Sequence, residues 1–144
     1  MAKQTLNVVE ENGLRVAEED RVERLVALGR AISDPIRVRM LGMMAVGRGC
    51  CELPDWGVPV EDQDAGICVC EFEGRFGMGQ SKVSYHMKKL KDAGLAREEK
   101  RGKWSFYSLD REAARGLVGE AARHLSVSAE GIGTFVELHM RGGV

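Results

Sequence analysis

The sequence predicts a mainly α-helical fold with one small β-hairpin, built as a single domain. Three observations lead to this prediction. Apolar residues recur every three or four positions over several segments, which is the period of an amphipathic helix. Strand-forming aromatic residues follow a basic, Gly-containing turn near position 102. A chain of 144 residues with 44% apolar and 30% charged residues also has the composition of one folded globular domain.

Two helices are predicted in the first third of the chain. Residues 1–14 are expected to form a flexible polar lead-in, and residues 15–32 a helix. The apolar positions of this helix are Val22, Leu25, Val26, Gly29 and Ile32. Asp34 and Pro35 then predict a second helix, because Asp caps a helix and Pro fits its first position. This second helix is expected to end at residues 47–49 (Gly-Arg-Gly).

Residues 50–66 are predicted to be a long loop, since they contain two of the three prolines and show no helical period. A loop of this length in a compact domain is usually functional or mobile. The apolar residues that follow, Ile67, Val69, Phe72 and Phe76, indicate a short helix. The turn at residues 77–79 stops this helix.

The clearest helical segment is residues 81–93, with Val83, Met87, Leu90 and Ala93 on one face. Gly94 is a natural helix stop. Residues 95–109 are predicted to form a two-stranded hairpin. Asp110 can cap a final helix that extends to about residue 125, and residues 126–144 are predicted to form a Gly-rich tail with an ambiguous short helix at 134–140.

The charge distribution is uneven although the net charge is only −1. Residues 50–73 contain seven acids, no Lys or Arg, and all four cysteines. Residues 82–103 contain eight basic residues against three acids. Such blocks of opposite sign indicate two functional regions next to each other in the sequence.

The order helix, short turn, helix, basic hairpin predicts a winged helix-turn-helix, whose second helix lies in the DNA major groove. Candidate residues for contacts with base edges or phosphates at the start of that helix are Gln80, Ser81, Lys82 and Ser84. Tyr85 and His86 are assigned to the same DNA surface. Candidate phosphate contacts are Lys88, Lys89, Arg97, Lys100, Arg101 and Lys103. The alternative is a solvated helix face followed by a charged hairpin tip.

The cysteines, Cys50, Cys51, Cys68 and Cys70, are candidate ligands for a thiophilic ion. The alternatives are small buried hydrophobic residues, a structural zinc site or a redox switch. The spacing does not match the usual C-x₂-C pairs of structural zinc. Residues at i and i+2 point in different directions on a helix, so Cys68 and Cys70 are expected to share an ion only if the start of their helix is distorted.

No enzymatic motif is present in the sequence, and no catalytic residue or organic cofactor is predicted. There is no Gly-rich phosphate loop, no nucleophile elbow and no H-E-x-x-H. The N-terminus has no apolar signal region, and no apolar run approaches the ~20 residues of a membrane span. A cytoplasmic protein with reduced thiols and no membrane partner is therefore expected.

Over residues 21–125 the chain resembles the ArsR/SmtB family of metalloregulatory winged-helix repressors. The matching segments are ALGRAISDPIRVRMLGMM, ICVCEF and GQSKVSYHMKKLKDAGLAREEKRGKWSFYSL. The resemblance implies a homodimer, formed through the first and last helices, on an imperfect palindrome of double-stranded operator DNA. It also implies that an ion releases this repressor from the DNA.

The arsenic sensors of this family carry a C-V-C-D-L motif, which residues 68–72 resemble (CVCEF). Their third cysteine often follows three residues later, where this chain has Glu73. The resemblance therefore implies As(III) or Sb(III) as the inducer, with a third thiolate from Cys50 or Cys51. Cadmium or lead held by four thiolates, a redox-responsive repressor, and a thiol metal-binding protein without a DNA target remain alternatives.

Overall fold

The computed structural model describes residues 2–60 and 66–128. Their elements, in chain order, are α1 (Ala2–Ala31), α2 (Pro35–Val46), β1 (Ile67–Cys68), α3 (Val69–Phe76), α4 (Gln80–Asp92), β2 (Ala96–Arg101), β3 (Trp104–Leu109) and α5 (Arg111–His124). This order confirms the predicted mainly helical fold with a β-hairpin. Residues 61–65 and 129–144 lie outside the described residues, and so does the ambiguous helix at 134–140.

The first helix begins much earlier than the sequence analysis predicts. α1 extends from Ala2 to Ala31, so the helix predicted from about residue 15 begins at Ala2. Residues 2–14 contain no proline and several strong helix formers, and one interior glycine costs only about 1 kcal/mol. Although α1 has 30 residues, neither it nor any other helix in the described ranges is apolar enough to cross a membrane.

The predicted caps of α2 and α5 are confirmed. The Asp34 carboxylate accepts hydrogen bonds from the backbone nitrogens of Ile36 and Arg37, at 2.8 and 3.4 Å. The Asp110 carboxylate accepts one from the backbone nitrogen of Ala113 at 3.0 Å. Each cap satisfies backbone donors that have no partner inside the helix.

A third strand, which the sequence analysis assigned to a helix, joins the predicted hairpin. The sheet order is β1-β3-β2, with antiparallel pairing and Cys68 opposite Phe106. Gly66 permits this pairing, because a Cβ there would lie 2.6 Å from the backbone oxygen of Tyr107. Two residues are too few to show the alternation that identifies a strand in a sequence.

The hydrophobic core lies between α2, α3, α4 and β3. Its fully buried side chains include Met40, Phe72, Val83, Met87, Leu90 and Phe106. The buried face of α4 is therefore the predicted one. α3 and α4 are joined by a three-residue turn in which Gly77 has φ +62°, so the two helices form a helix-turn-helix unit.

α1 and α5 pack beside each other, α1 also contacts α4, and an ion pair joins Arg24 to Glu120 at 3.3 Å. Both helices leave large apolar side chains exposed on the single chain: Val22, Val26, Val118 and Leu125. Leu117, in contrast, is buried in the core of its own chain.

Candidate nucleic-acid interface and thiol site

The four cysteines form two close pairs. The Sγ atoms of Cys50 and Cys51 are 3.0 Å apart, and those of Cys68 and Cys70 are also 3.0 Å apart. All four are free thiols. Within the described ranges no group of three or more His, Cys, Asp or Glu side chains is arranged to hold a metal, so the two pairs do not form one site here.

Cys68 and Cys70 meet because Cys68 lies outside the regular helix. It is the N-cap residue of α3, in an extended conformation with φ −70° and ψ 148°, and it ends β1. Cys70 is the second residue of the helix. The sequence analysis placed both cysteines on one helix, and this placement is wrong for Cys68, because the strand-to-helix turn already brings the two thiols together.

A buried ion pair connects the start of the cysteine loop to α3. Arg48 donates to both carboxylate oxygens of Glu71, at 2.8 and 2.6 Å, and to the backbone oxygen of Gly66 at 3.1 Å. Glu71 is only 1% exposed, and it also accepts a hydrogen bond from the backbone nitrogen of Cys68 at 2.9 Å. Two parallel hydrogen bonds of this kind fix the orientation of the Arg48 guanidinium relative to the Glu71 carboxylate. Sequence analysis noted Glu71 as part of the motif and missed Arg48.

A second contact holds the other side of the loop against α3. A Cβ added at Gly74 would lie 2.6 Å from Cγ of Pro54 and 2.9 Å from Cη2 of Trp56. These two side chains therefore rest directly on the backbone of α3. Cys50 and Cys51 lie between the two contacts along the chain, so the loop that carries them is attached on both sides.

Cys50 and Cys51 line a cleft of about 450 Å³ together with Arg39, Met43, Arg75 and Phe76. Burial, the hydrogen bond with Cys51 and the charge of that thiol raise the pKa of Cys50 to about 12, although Arg75 opposes the change. Burial and the contact with Cys68 raise the pKa of Cys70 to about 12 as well. Both thiols are therefore protonated at neutral pH, and a bound metalloid must displace these protons.

The start of α4 presents the predicted polar side chains to solvent. Gln80, Ser81, Lys82, Ser84 and Tyr85 are all exposed, while the opposite face of the helix is buried in the core. Because a recognition helix contacts base edges with its N-terminal residues, this placement suits major-groove binding.

His86 is an exception, and its assignment to the DNA surface is wrong. Its side chain is only 4% exposed and contacts Arg37 in the interior. Periodicity could have indicated this position, since His86 lies three residues after the buried Val83. Its polar character led to the assignment to the surface.

Several of the predicted phosphate contacts have carboxylate partners in the structure. Lys88 pairs with Asp92 at 3.1 Å, and Arg97 with Asp110 at 2.8 Å. Arg101 pairs with Glu99 at 2.9 Å. Exposed pairs of this kind contribute only about 0–1 kcal/mol, so a phosphate can replace the carboxylate at low cost.

The remaining predicted cations lie on the same surface. Lys89 lies 5.6 Å from the ring centre of Tyr85, and Lys103 lies 5.0 Å from that of Trp104. Lys100 is exposed on β2 near the hairpin turn. Both the helix and the hairpin thus present exposed positive charge.

A family model matches the part of the chain that contains the Cys68–Cys70 pair and α4. The family model described as "Bacterial regulatory protein, arsR family" matches residues 64–98, from before β1 into β2. Residues 64–98 are an ArsR-family segment. The resemblance stated from the sequence is thereby confirmed, and this family consists of transcription regulators rather than enzymes, as predicted.

Two curated relatives are similar to part of this chain. The arsenical resistance operon repressor of Bacillus subtilis is 47% identical over 53 residues, which are 37% of this chain and 50% of the relative. A cadmium resistance transcriptional regulatory protein CadC homolog of Staphylococcus aureus is 36% identical over 58 residues, 40% of this chain and 48% of the relative. The chain thus spans about half the length of these relatives, one named for arsenical resistance and the other for cadmium resistance.

A crystal structure of an ArsR family transcriptional regulator has the same fold. It is 21% identical and superimposes with a TM-score of 0.54 over 72% of this chain and 89% of that chain. At this identity the match concerns the fold, and it confirms the predicted winged helix-turn-helix.

Proposed function

We propose that the protein is a transcriptional repressor that binds operator DNA as a homodimer and releases it when As(III) or Sb(III) binds cysteine thiolates. One observation carries the proposal. The thiol pair Cys68–Cys70 lies at the start of α3, and the other end of α3 leads through a three-residue turn into the DNA-reading helix α4. A change at the thiols therefore acts on a helix that is packed against the reading helix.

The exposed polar start of α4 and the basic hairpin support DNA as the partner. Gln80 and the hydroxyls of Ser81 and Ser84 can hydrogen-bond base edges. Lys100 and Lys103 supply positive charge for phosphates. We assign this activity to residues 15–125, with residues 50–66 as the cysteine loop.

The exposed apolar residues of α1 and α5 support the homodimer. A second copy of the chain would cover Val118 and Leu125, which a single chain leaves in water. Leu125→Glu is therefore expected to give folded monomers in sedimentation experiments. Leu117→Glu serves as the contrast, because its side chain is buried in its own chain and the charge would unfold the monomer.

The arrangement of the loop supports Cys50 or Cys51 as the source of a third thiolate. The loop is held to α3 by the Arg48–Glu71 pair before the cysteines and by Pro54 and Trp56 after them. In the proposed complex this segment brings one of its thiols to the ion held by Cys68 and Cys70. Trivalent arsenic prefers sulfur, which suits a site without histidine.

A second candidate function keeps the repressor and changes the inducer to cadmium or lead. Two thiol pairs would supply four thiolates, and one of the relatives is named for cadmium resistance. Oxidation of either pair to a disulfide is the redox variant of the same repressor. In each case we place the protein in the cytoplasm, where its thiols stay reduced and its operator is accessible.

The experiment is a titration of the reduced protein on its own fluorescently labelled promoter DNA, followed by anisotropy. Arsenite, antimonite, Cd²⁺, Pb²⁺ and hydrogen peroxide are added in separate series. The proposal expects specific binding that weakens steeply with salt, and release by arsenite and antimonite at the lowest concentrations. Release by cadmium or peroxide alone would favour the second candidate, and a protein that binds arsenite but no DNA would contradict the repressor.

A further inference from the structure

The corner where α1, α2 and α4 meet contains a buried arginine that no part of the proposed function uses. Arg37 is 7% exposed. Its Nε donates to the backbone oxygen of Ala31 at 2.7 Å, and its Nη2 donates to that of Arg30 at 3.0 Å. These oxygens belong to the last turn of α1, whose carbonyls have no partner within the helix. Arg37 therefore holds the end of α1.

The same guanidinium also reaches the reading helix. Its Nη1 lies 3.1 Å from Nδ1 of His86, in the middle of α4. A guanidinium has donors only, so Nδ1 must be the acceptor and carry no proton. The contact thus exists only while the imidazole is neutral, with its single proton on Nε2.

We propose that Arg37 and His86 are positioning residues that fix the reading helix relative to α1, and that protonation of His86 breaks this link and weakens DNA binding. The proposal rests on the proposed DNA-binding function. α1 belongs to the proposed dimer surface, so its position sets the separation of the two reading helices. A dimer can read two half-sites only when that separation matches the DNA helical repeat.

The groups around His86 determine the pKa of its imidazole. The charged and titratable groups that face it are Arg37 and Asp34 from the α1–α2 corner, and Lys82 and Tyr85 from α4 itself. Burial and the charges of Arg37 and Lys82 lower the pKa of His86 from 6.5, and Asp34 opposes them. The pKa of His86 is lower in the folded protein than in the unfolded chain, where it is about 6.5. The stabilisation by the Arg37–His86 contact is therefore complete above pH 6.5, and it is lost as the pH falls through the pKa of His86 in the folded protein.

The test is the operator affinity of the full-length reduced protein, without metalloid, between about pH 8 and pH 5.5 at constant ionic strength. The wild type is expected to lose about tenfold or more in affinity at the acid end. His86→Asn should bind as the wild type does at pH 8, because its Oδ1 can accept the Arg37 hydrogen bond. Its profile should stay nearly flat, because an amide does not titrate.

His124→Asn is the matched control, since His124 is exposed on α5. This variant should lose operator affinity at low pH to the same extent as the wild type. Arg37→Lys should bind more weakly than the wild type at pH 8, by about tenfold, because one ammonium cannot make all three contacts. If His86→Asn lost as much operator affinity at low pH as the wild type does, the proposal would be overturned.

A measurement on the wild type keeps the proposal testable even if a variant folds poorly. Nitrogen NMR of the histidine rings reports the tautomer of His86 and its titration directly. We expect an unprotonated Nδ1 at neutral pH and titration below pH 6.5. A protonated Nδ1 at pH 7 would overturn the link between the two residues. Failure of the wild type to bind its promoter at pH 8 would instead contradict the repressor and leave the NMR result to be judged separately.

Discussion

The thiol region and the DNA-reading region are built in different ways. α4 and the hairpin are regular elements whose polar and basic side chains are exposed, so the proposed reading surface is already formed in the chain without DNA. The thiols lie in a loop and at a helix N-cap, as two separate pairs. Under the proposed function, an ion that completes the thiol site would move α3, and α3 packs against the preformed α4.

The largest effect is expected from the N-cap thiols. Cys68→Ser and Cys70→Ser should each retain operator affinity and lose arsenite-driven release entirely, because a hydroxyl is a poor ligand for a soft ion. The measurement is anisotropy of labelled operator under reducing conditions. The double variant Cys50→Ser/Cys51→Ser should behave in the same way if the loop supplies the third thiolate. Full release by that double variant would exclude the loop from the site.

A smaller but still large effect is expected at the ion pair that holds the cysteine loop against α3. Glu71→Gln removes the charged partner of the partly buried Arg48, so the free energy of unfolding should fall by about 1–3 kcal/mol. Urea denaturation measures this loss. Glu73→Gln is the matched control two residues along the same helix, where the side chain is partly exposed. A Glu71→Gln protein as stable as the control would show that the pair does not hold the loop.

Within the reading region, Gln80→Ala should reduce specific binding by about 1–3 kcal/mol. Binding to random DNA should change much less, because the side chain is proposed to contact base edges. Competition between operator and random duplex measures the ratio of the affinities for specific and random DNA. Equal affinities of the variant and the wild type for both duplexes would contradict the assignment of α4 as the reader.

The smallest effect is expected at the hairpin. Lys100→Ala should weaken binding to all sequences alike and reduce the slope of log affinity against log salt by about one unit. Lys91→Ala is the comparison, since Lys91 pairs with Glu98 at 2.6 Å on the other side of the hairpin base. If both variants lowered the slope equally, the positive surface would extend beyond the predicted residues.

Sequence reasoning was most successful where a local rule decides the structure. Asp34 and Pro35 start α2, and Gly94 follows α4, because caps and stops depend on neighbours in the chain. It was least successful at His86 and at Ile67–Cys68. The burial of His86 depends on an arginine 49 positions away, and the short strand depends on Tyr107 and Phe106 of β3.

The sequence by itself determined the helices, the hairpin, the polar reading face and the presence of four cysteines in an acidic segment. Periodicity, capping and composition act over a few residues, so these features can be read without coordinates. Only the tertiary structure decided that Cys68 and Cys70 meet at a strand-to-helix turn, that Arg48 ties the loop to Glu71, and that Arg37 connects α1 to α4. Each of these depends on groups that are distant in the chain and meet only when the core excludes water, where an unpaired charge or polar atom is costly.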